Sequence, residues 1–121
     1  MSLIDTPLIQ TVGHALDLTS FRQGLVTENI ANIDTPGYHT RDINFRQELQ
    51  RALGDDDSPV DATPSPREVP NLIERPDGNN VSIDRESLLM AQNQLQFQVG
   101  VAVLRAEFSK LQLAITEGNG Q

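Results

Sequence analysis

Two long amphipathic patterns flanking a proline-broken middle predict a mainly α chain. Its two long N- and C-terminal helices are expected to pair as a coiled-coil-like hairpin, with at most a short β element between them. Three observations carry this expectation. Apolar residues recur at alternating steps of three and four near both ends of the 121-residue sequence. Pro36-Gly37 supplies a sharp stop after the first pattern. Pro59, Pro64, Pro66, Pro70 and Pro76 then break the polar interval 55–80. The expected division is 1–34 (first helix), 35–81 (turn, short extended piece, short helix and Pro-rich loop) and 82–121 (second helix and tail), within one structural domain.

The first helix is expected from about Leu8 to Ile33. Its seam is Ile9, Val12, Leu16, Thr19, Gln23, Val26, Ile30 and Ile33, with Thr19 and Gln23 as polar interruptions. A second, shorter stripe of Leu18, Phe21 and Leu25 lies beside it. Asp5 or Thr6 can cap the start, with Pro7 in the first turn. At the other end, Pro36 disfavours helical geometry at Thr35. Pro36-Gly37 fits the centre of a type II turn, where glycine takes the positive φ. Asn29 and Asn32, three apart, share one helix face. They read either as a C-terminal cap region or as polar devices that fix helix register.

Arg41-Asp42-Ile43-Asn44-Phe45 alternates and reads as a short extended piece. Phe45, Leu49, Ala52 and Leu53 suggest a short helix stopped by Gly54. The segment from Asp55 to Asn80 reads as a mobile or extended loop without a packed core. The second long helix is expected from about Asp84 to Ile115, capped by Ser82 or Asp84. Its seam is Met90, Gln94, Phe97, Val101, Leu104, Phe108, Leu111 and Ile115. A second stripe of Leu88, Ala91, Leu95, Val99, Ala102 and Ala106 gives it a face for another neighbour. The residues expected to carry helix packing are Val12, Leu16, Val26, Ile30, Phe97, Val101, Leu104, Phe108, Leu111 and Ile115.

Composition narrows the function. A net charge of −8 argues against nucleic acid or an anionic membrane as partner. No run of 18 apolar residues marks a membrane span, and Met1-Ser2-Leu3-Ile4-Asp5 lacks the pattern of a cleaved secretion signal. Without cysteine there is no disulfide framework and no zinc–thiolate site. His14 and His39 show no metal-ligand spacing. Asp55-Asp56-Asp57 lacks the alternation of an EF-hand loop. Asn80-Val81-Ser82 matches a glycosylation sequon by composition only. The sequence therefore suggests no catalytic residue, cofactor or metal. One tyrosine, four phenylalanines and no tryptophan make a meagre core. An apolar stripe left outside such a core calls for another copy or another protein.

Asn29-Ile30-Ala31-Asn32-Ile33-Asp34-Thr35-Pro36-Gly37-Tyr38 resembles the N-terminal signature shared by flagellar rod, hook and hook-associated proteins. Arg41 to Phe45, Asn93 to Phe97 and Phe108 to Ile115 are similar to the small proximal rod members of that family. His39 departs from the basic residue common after the tyrosine, and Asp34 from a frequent asparagine. The resemblance implies a non-enzymatic structural subunit of the bacterial flagellar basal body rod. Such a subunit polymerises by helix packing into the drive shaft and the wall of the export channel. The signature residues would be Asn29, Ile30, Ala31, Asn32, Thr35, Pro36, Gly37 and Tyr38. Implied partners are further copies of itself in a helical array, other flagellar rod proteins, the rod-base junction protein and the flagellar type III export gate. The implied location is the periplasm-spanning rod, reached through that export apparatus without a cleaved signal. Phe21 to Leu25 has the general shape of an export-recognition element or of ordinary helix packing. The competing readings are a sister proximal rod protein and a cytoplasmic helical-hairpin adaptor or dimerisation module.

Overall fold

The computed structural model describes residues 6–54 and 63–119. In chain order the elements are α1 (Pro7–Ala31), β1 (Arg41–Asp42), α2 (Phe45–Leu53), β2 (Arg67–Glu68) and α3 (Ile83–Asn119). At ~1.5 Å per residue, α1 spans roughly 37 Å and α3 roughly 55 Å. The mainly α hairpin with one minimal sheet is the architecture the sequence predicts.

Thr6 caps α1: its side-chain oxygen accepts from the Ile9 N–H at 3.2 Å, and Pro7 occupies the first turn. α1 ends at Ala31, two residues before the expected Ile33, because Asn32 leaves helical geometry at φ −103°, ψ 17°. Ser82 caps α3, its hydroxyl accepting from the Arg85 N–H at 3.2 Å. α3 runs on through Asn119, past the expected end at Ile115. α2 coincides with the expected short helix. Asn44 caps it by accepting from the Gln47 N–H at 3.1 Å.

α1 and α3 pair antiparallel. Asn29 meets Glu86, Gln23 meets Asn93, and Leu16 meets Gly100, so positions descend on one helix as they rise on the other. Gly100 permits a close approach: a Cβ there would lie 2.6 Å from Leu16 Cδ2. The Asn93 Nδ2–Gln23 Oε1 bond, 2.9 Å, pins the register where polar residues interrupt the α1 seam.

The apolar core lies to one side of this pair. It is built from Leu18, Leu25 and Ile43, with Phe21, Phe45 and Leu49 against them. The secondary stripe of α1 therefore holds α2 and the β1 segment. The main α1 seam faces α3 with Val26 buried and Val12, Leu16 and Ile30 half-buried. On α3, Val101, Leu104 and Leu111 are half-buried, whereas Phe97, Phe108 and Ile115 are exposed.

The middle segment differs from the loop expectation. Residues 55–62, including Asp55-Asp56-Asp57 and Pro59, lie outside the described residues. From Thr63 to Val81 the chain is irregular yet hydrogen-bonded to the rest. β2 pairs antiparallel with β1, Arg41 opposite Glu68 and Asp42 opposite Arg67. The Val69 N–H donates to Thr40 O at 2.9 Å. Asn71 follows Pro70 at φ 66°, the left-handed position that asparagine tolerates in a turn. Hydrogen bonds joining Val69, Arg75, Asn79 and Asn80 to residues 32–40 hold the segment in place, so low apolar content does not prevent order.

Truncating the core should separate these two surfaces. Leu25→Ala is expected to cost ~2–5 kcal/mol, whereas exposed Leu95→Ala should stay within ~0.5 kcal/mol. Urea denaturation of both variants checks this, and equal costs would misplace the core.

Candidate functional site: the signature joint

The signature stretch closes on itself and on the start of α3. Asn29 is 1% exposed, and its carboxamide uses its full bonding capacity. Oδ1 accepts from the Tyr38 hydroxyl at 2.9 Å and the Arg41 N–H at 3.1 Å. Nδ2 donates to Arg41 O at 2.9 Å and Glu86 Oε2 at 3.2 Å. Three parts of the chain, α1, β1 and α3, meet on one side chain.

Asn32 does different work. Its Nδ2 donates to Glu28 O at 2.8 Å, and its Oδ1 accepts from the Thr35 hydroxyl at 3.1 Å. It thus caps its own helix. The two readings left open by the sequence divide between the two residues: Asn32 caps, and Asn29 fixes the alignment of α1 against β1 and α3. Pro36-Gly37 forms the expected turn, with Gly37 at φ 75° and the Tyr38 N–H donating to Thr35 O at 3.2 Å. Of the remaining signature residues, Ile30 is half-buried, while Ala31, Thr35 and Pro36 are exposed.

A second turn, at residues 75–80, receives the first. Gly37 N–H donates to Asp77 O at 2.9 Å. Gly78, at φ 84°, faces it closely enough that a Cβ would lie 3.4 Å from Gly37 Cα. Fully buried Asn79 donates through Nδ2 to Asn32 O and Thr35 O at 2.9 and 2.8 Å. Its Oδ1 accepts from Arg75 Nη2 at 2.6 Å and the Val81 N–H at 2.9 Å. Asn80 Oδ1 accepts from the Thr40 N–H at 2.7 Å, which buries the sequon asparagine inside the joint. Arg75 also donates to Ile33 O and, at 2.9 Å, to Val81 O. α1 has no basic residue in its last turn. Arg75 brings a cation to that end from elsewhere in the chain, where the helix dipole favours one.

A line of charges runs beneath. Arg22 grips Asp42 with two bonds of 2.9 Å, and Arg85 adds a third at 2.7 Å. Arg85 also donates to Glu86 Oε1 at 2.7 Å, and Glu86 is fully buried. Burial raises the Asp42 pKa, but the bonds from Arg22 and Arg85 outweigh it and hold the group below 3.8. Tyr38 moves upward, first through burial and then through Glu28, so its hydroxyl remains a donor to Asn29.

Sequence reasoning passed over Arg75, Asn79 and Arg85, and read Asn80 only as part of a sequon. The available signal was Pro76-Asp77-Gly78, a turn tripeptide with a defined mechanism. Among the described residues, no three His, Cys, Asp or Glu side chains are placed to hold a metal ion. No described helix is long and apolar enough to cross a membrane.

A hairpin of long helices, locked at one end and carrying exposed apolar side chains along α3, defines a structural, helix-packing subunit. The chain is 35% identical to the flagellar basal body rod protein FlgB of Salmonella typhimurium, covering 87% of this chain and 90% of that protein. Identity is 36% with FlgB of Escherichia coli, over 87% and 90% of the two chains. With FlgB of Bacillus subtilis it is 32%, over 91% and 94%. No protein-family model matches the chain. On these relatives the chain belongs to the family of the flagellar basal body rod protein FlgB. It is a structural component of the basal body rod, and nothing favours the adaptor reading.

Two predictions follow from this geometry. Asn29→Ala leaves the Tyr38 hydroxyl, both Arg41 backbone groups and Glu86 short of a partner. It should cost about 3 kcal/mol or more, against about 1 kcal/mol for Asn32→Ala. Denaturant midpoints of the two variants decide, and equal losses would contradict the division of roles. The folded pKa of Asp42 is depressed. Its stabilisation is therefore complete above 3.8 and lost as pH falls through the lower folded value. Asp42→Asn should lose on the order of 3 kcal/mol at neutral pH and lack that acid-side decline. Midpoints measured from pH 7 down to pH 2 check this. An unchanged acid limb in the variant would show that Asp42 does not supply it.

Proposed function

We propose that this subunit polymerises with copies of itself and with other rod proteins through its paired long helices. The resulting array forms the drive shaft and the wall of the export channel. The observation that carries this reading is the apolar side of α3. Phe97, Phe108 and Ile115 stand 43%, 44% and 52% exposed in the single chain, on the seam where sequence periodicity calls for packing. Burial of such a stripe is favourable at roughly 25 cal/mol per Å², and another helix is the natural cover. Contacts that do not close on themselves build filaments.

In this reading the signature residues Asn29 to Tyr38 form the joint between the axial helices and the outer part of the subunit. The rod-base junction protein and the type III export gate are the further partners. Passage through that export apparatus needs no cleaved signal.

Gly37 gives the test. A Cβ at this position meets nothing within 4 Å, so only the backbone angle of 75° restricts the residue. A β-branched side chain there costs about 1–3 kcal/mol, whereas asparagine tolerates such angles. Gly37→Val should abolish motility and incorporation into purified basal bodies while synthesis continues, and Gly37→Asn should retain both in large part. Normal motility of the valine variant would remove the turn from the assembly role.

A further inference from the structure

His39 follows the signature directly and lies between two carboxylates from different parts of the receiving segment. Its Nδ1 is 3.3 Å from Glu68 Oε2, in β2, and its Nε2 is 2.7 Å from Glu74 Oε1, just before Arg75. Ionised carboxylates only accept hydrogen bonds, and a neutral imidazole carries a single N–H. The ring can donate at both nitrogens only as the imidazolium.

We infer that His39 is a pH-sensitive staple of the joint. Protonated, it ties β2 and the Arg75 turn to the signature at once; deprotonated, it holds one of them and releases the other. The two attachment points matter because each leads into the lock. Glu68 lies opposite Arg41 in the ladder, whose backbone is bonded to Asn29. Glu74 adjoins Arg75, which donates to Ile33 O just past the end of α1.

Basic residues adjoin this cluster in sequence: Arg67 beside Glu68, Arg75 beside Glu74, and Arg41 two positions after His39. Arg75 is committed to Ile33, Asn79 and Val81. Arg41 turns toward Glu28, at 3.9 Å. Glu68 and Glu74 are the charged groups that act on the ring. The bond to Glu68 is the largest cause that raises the His39 pKa above 6.5. Desolvation opposes it, and Glu74 adds to it. With the folded value raised, the staple's stabilisation is complete below 6.5 and lost as pH rises through the folded value. The inference rests on the geometry of the single chain and does not depend on the rod reading.

The experiment is a pH titration of the full chain, labelled with ¹⁵N at histidine and backbone, followed by NMR. Glu68→Gln, Glu74→Gln and the double variant are titrated alongside. The expected result is a His39 midpoint above 6.5, lowered by each single substitution and brought to about 6.5 by the pair. A wild-type midpoint at 6.5 overturns the inference, and so does a midpoint that Glu74→Gln leaves unmoved, since the ring then holds one partner only. A spectrum without the Val69–Thr40 pairing overturns it as well, because the staple would have nothing to hold. His39→Gln supplies a second reading. Its urea midpoint should fall below that of the wild type in acid and converge with it as pH rises. A difference that is constant with pH counts against the staple.

Discussion

The structure depends on one buried carboxamide. Asn29 offers two donors and two lone pairs, and the fold consumes all four: Glu86 and Arg41 O on one side, Tyr38 and the Arg41 N–H on the other. No other residue of similar size meets this demand. Aspartate lacks the donors and would set a second carboxylate against Glu86. Leucine fills the space but strands four polar groups, each costing about 1–3 kcal/mol when buried without a partner. Glutamine carries the right group one bond too far out. The geometry of the hairpin end thus follows from the length and hydrogen-bonding capacity of a single side chain.

A joint of this kind suits a chain with little apolar material. The described residues bury Leu18, Leu25, Val26, Ile43, Val81 and Leu89, but also Thr19, Asn29, Thr40, Asp42, Glu48, Asn79, Asn80, Glu86 and Asn93. Apolar burial alone would leave such a small interior permissive, since its contacts are non-directional. The polar groups impose direction. Arg22, Asp42, Arg85 and Glu86 alternate in sign along one path, so each buried carboxylate faces a guanidinium. Paired charges of this sort add little net stability over a well-packed apolar substitute, yet losing one partner is costly. Their effect is to penalise every arrangement except the one in which α1, β1 and α3 meet correctly.

Much of the fold was legible in the sequence because it rests on periodicity and local turn chemistry. The helices, caps near Thr6 and Ser82, the short helix from Phe45 to Leu53 and Gly37 at positive φ all follow from near neighbours, although Asn44 as the cap of that short helix was not read. The receiving turn was harder to see. Asn79 contacts Asn32 and Thr35 from more than 40 positions away, and Arg75 reaches Ile33 over a similar interval. No local pattern encodes such pairings. Proline-rich polar composition also points to a loop in isolation, because its order comes from carboxamides whose partners lie elsewhere. The core was legible only in part: the short stripe Leu18, Phe21, Leu25 resembled an accessory to the longer seam, whereas α2 and Ile43 make it the more buried face.

The division between joint and seam has a mechanical consequence. The hydrogen-bonded lock fixes the hairpin at the Ala31 and Ile83 ends, and its partners lie within the chain. The exposed apolar positions of α3 begin at the lock itself with Ile83 and run on through Leu88 to Ile115. A contact made along that surface meets a hairpin whose register is already set by Asn29 with Glu86 and by Gln23 with Asn93. Sliding one helix past the other would break these polar bonds. In a structural component of the basal body rod, that arrangement sets the register of the hairpin at its locked end while the apolar side chains of α3 stay exposed.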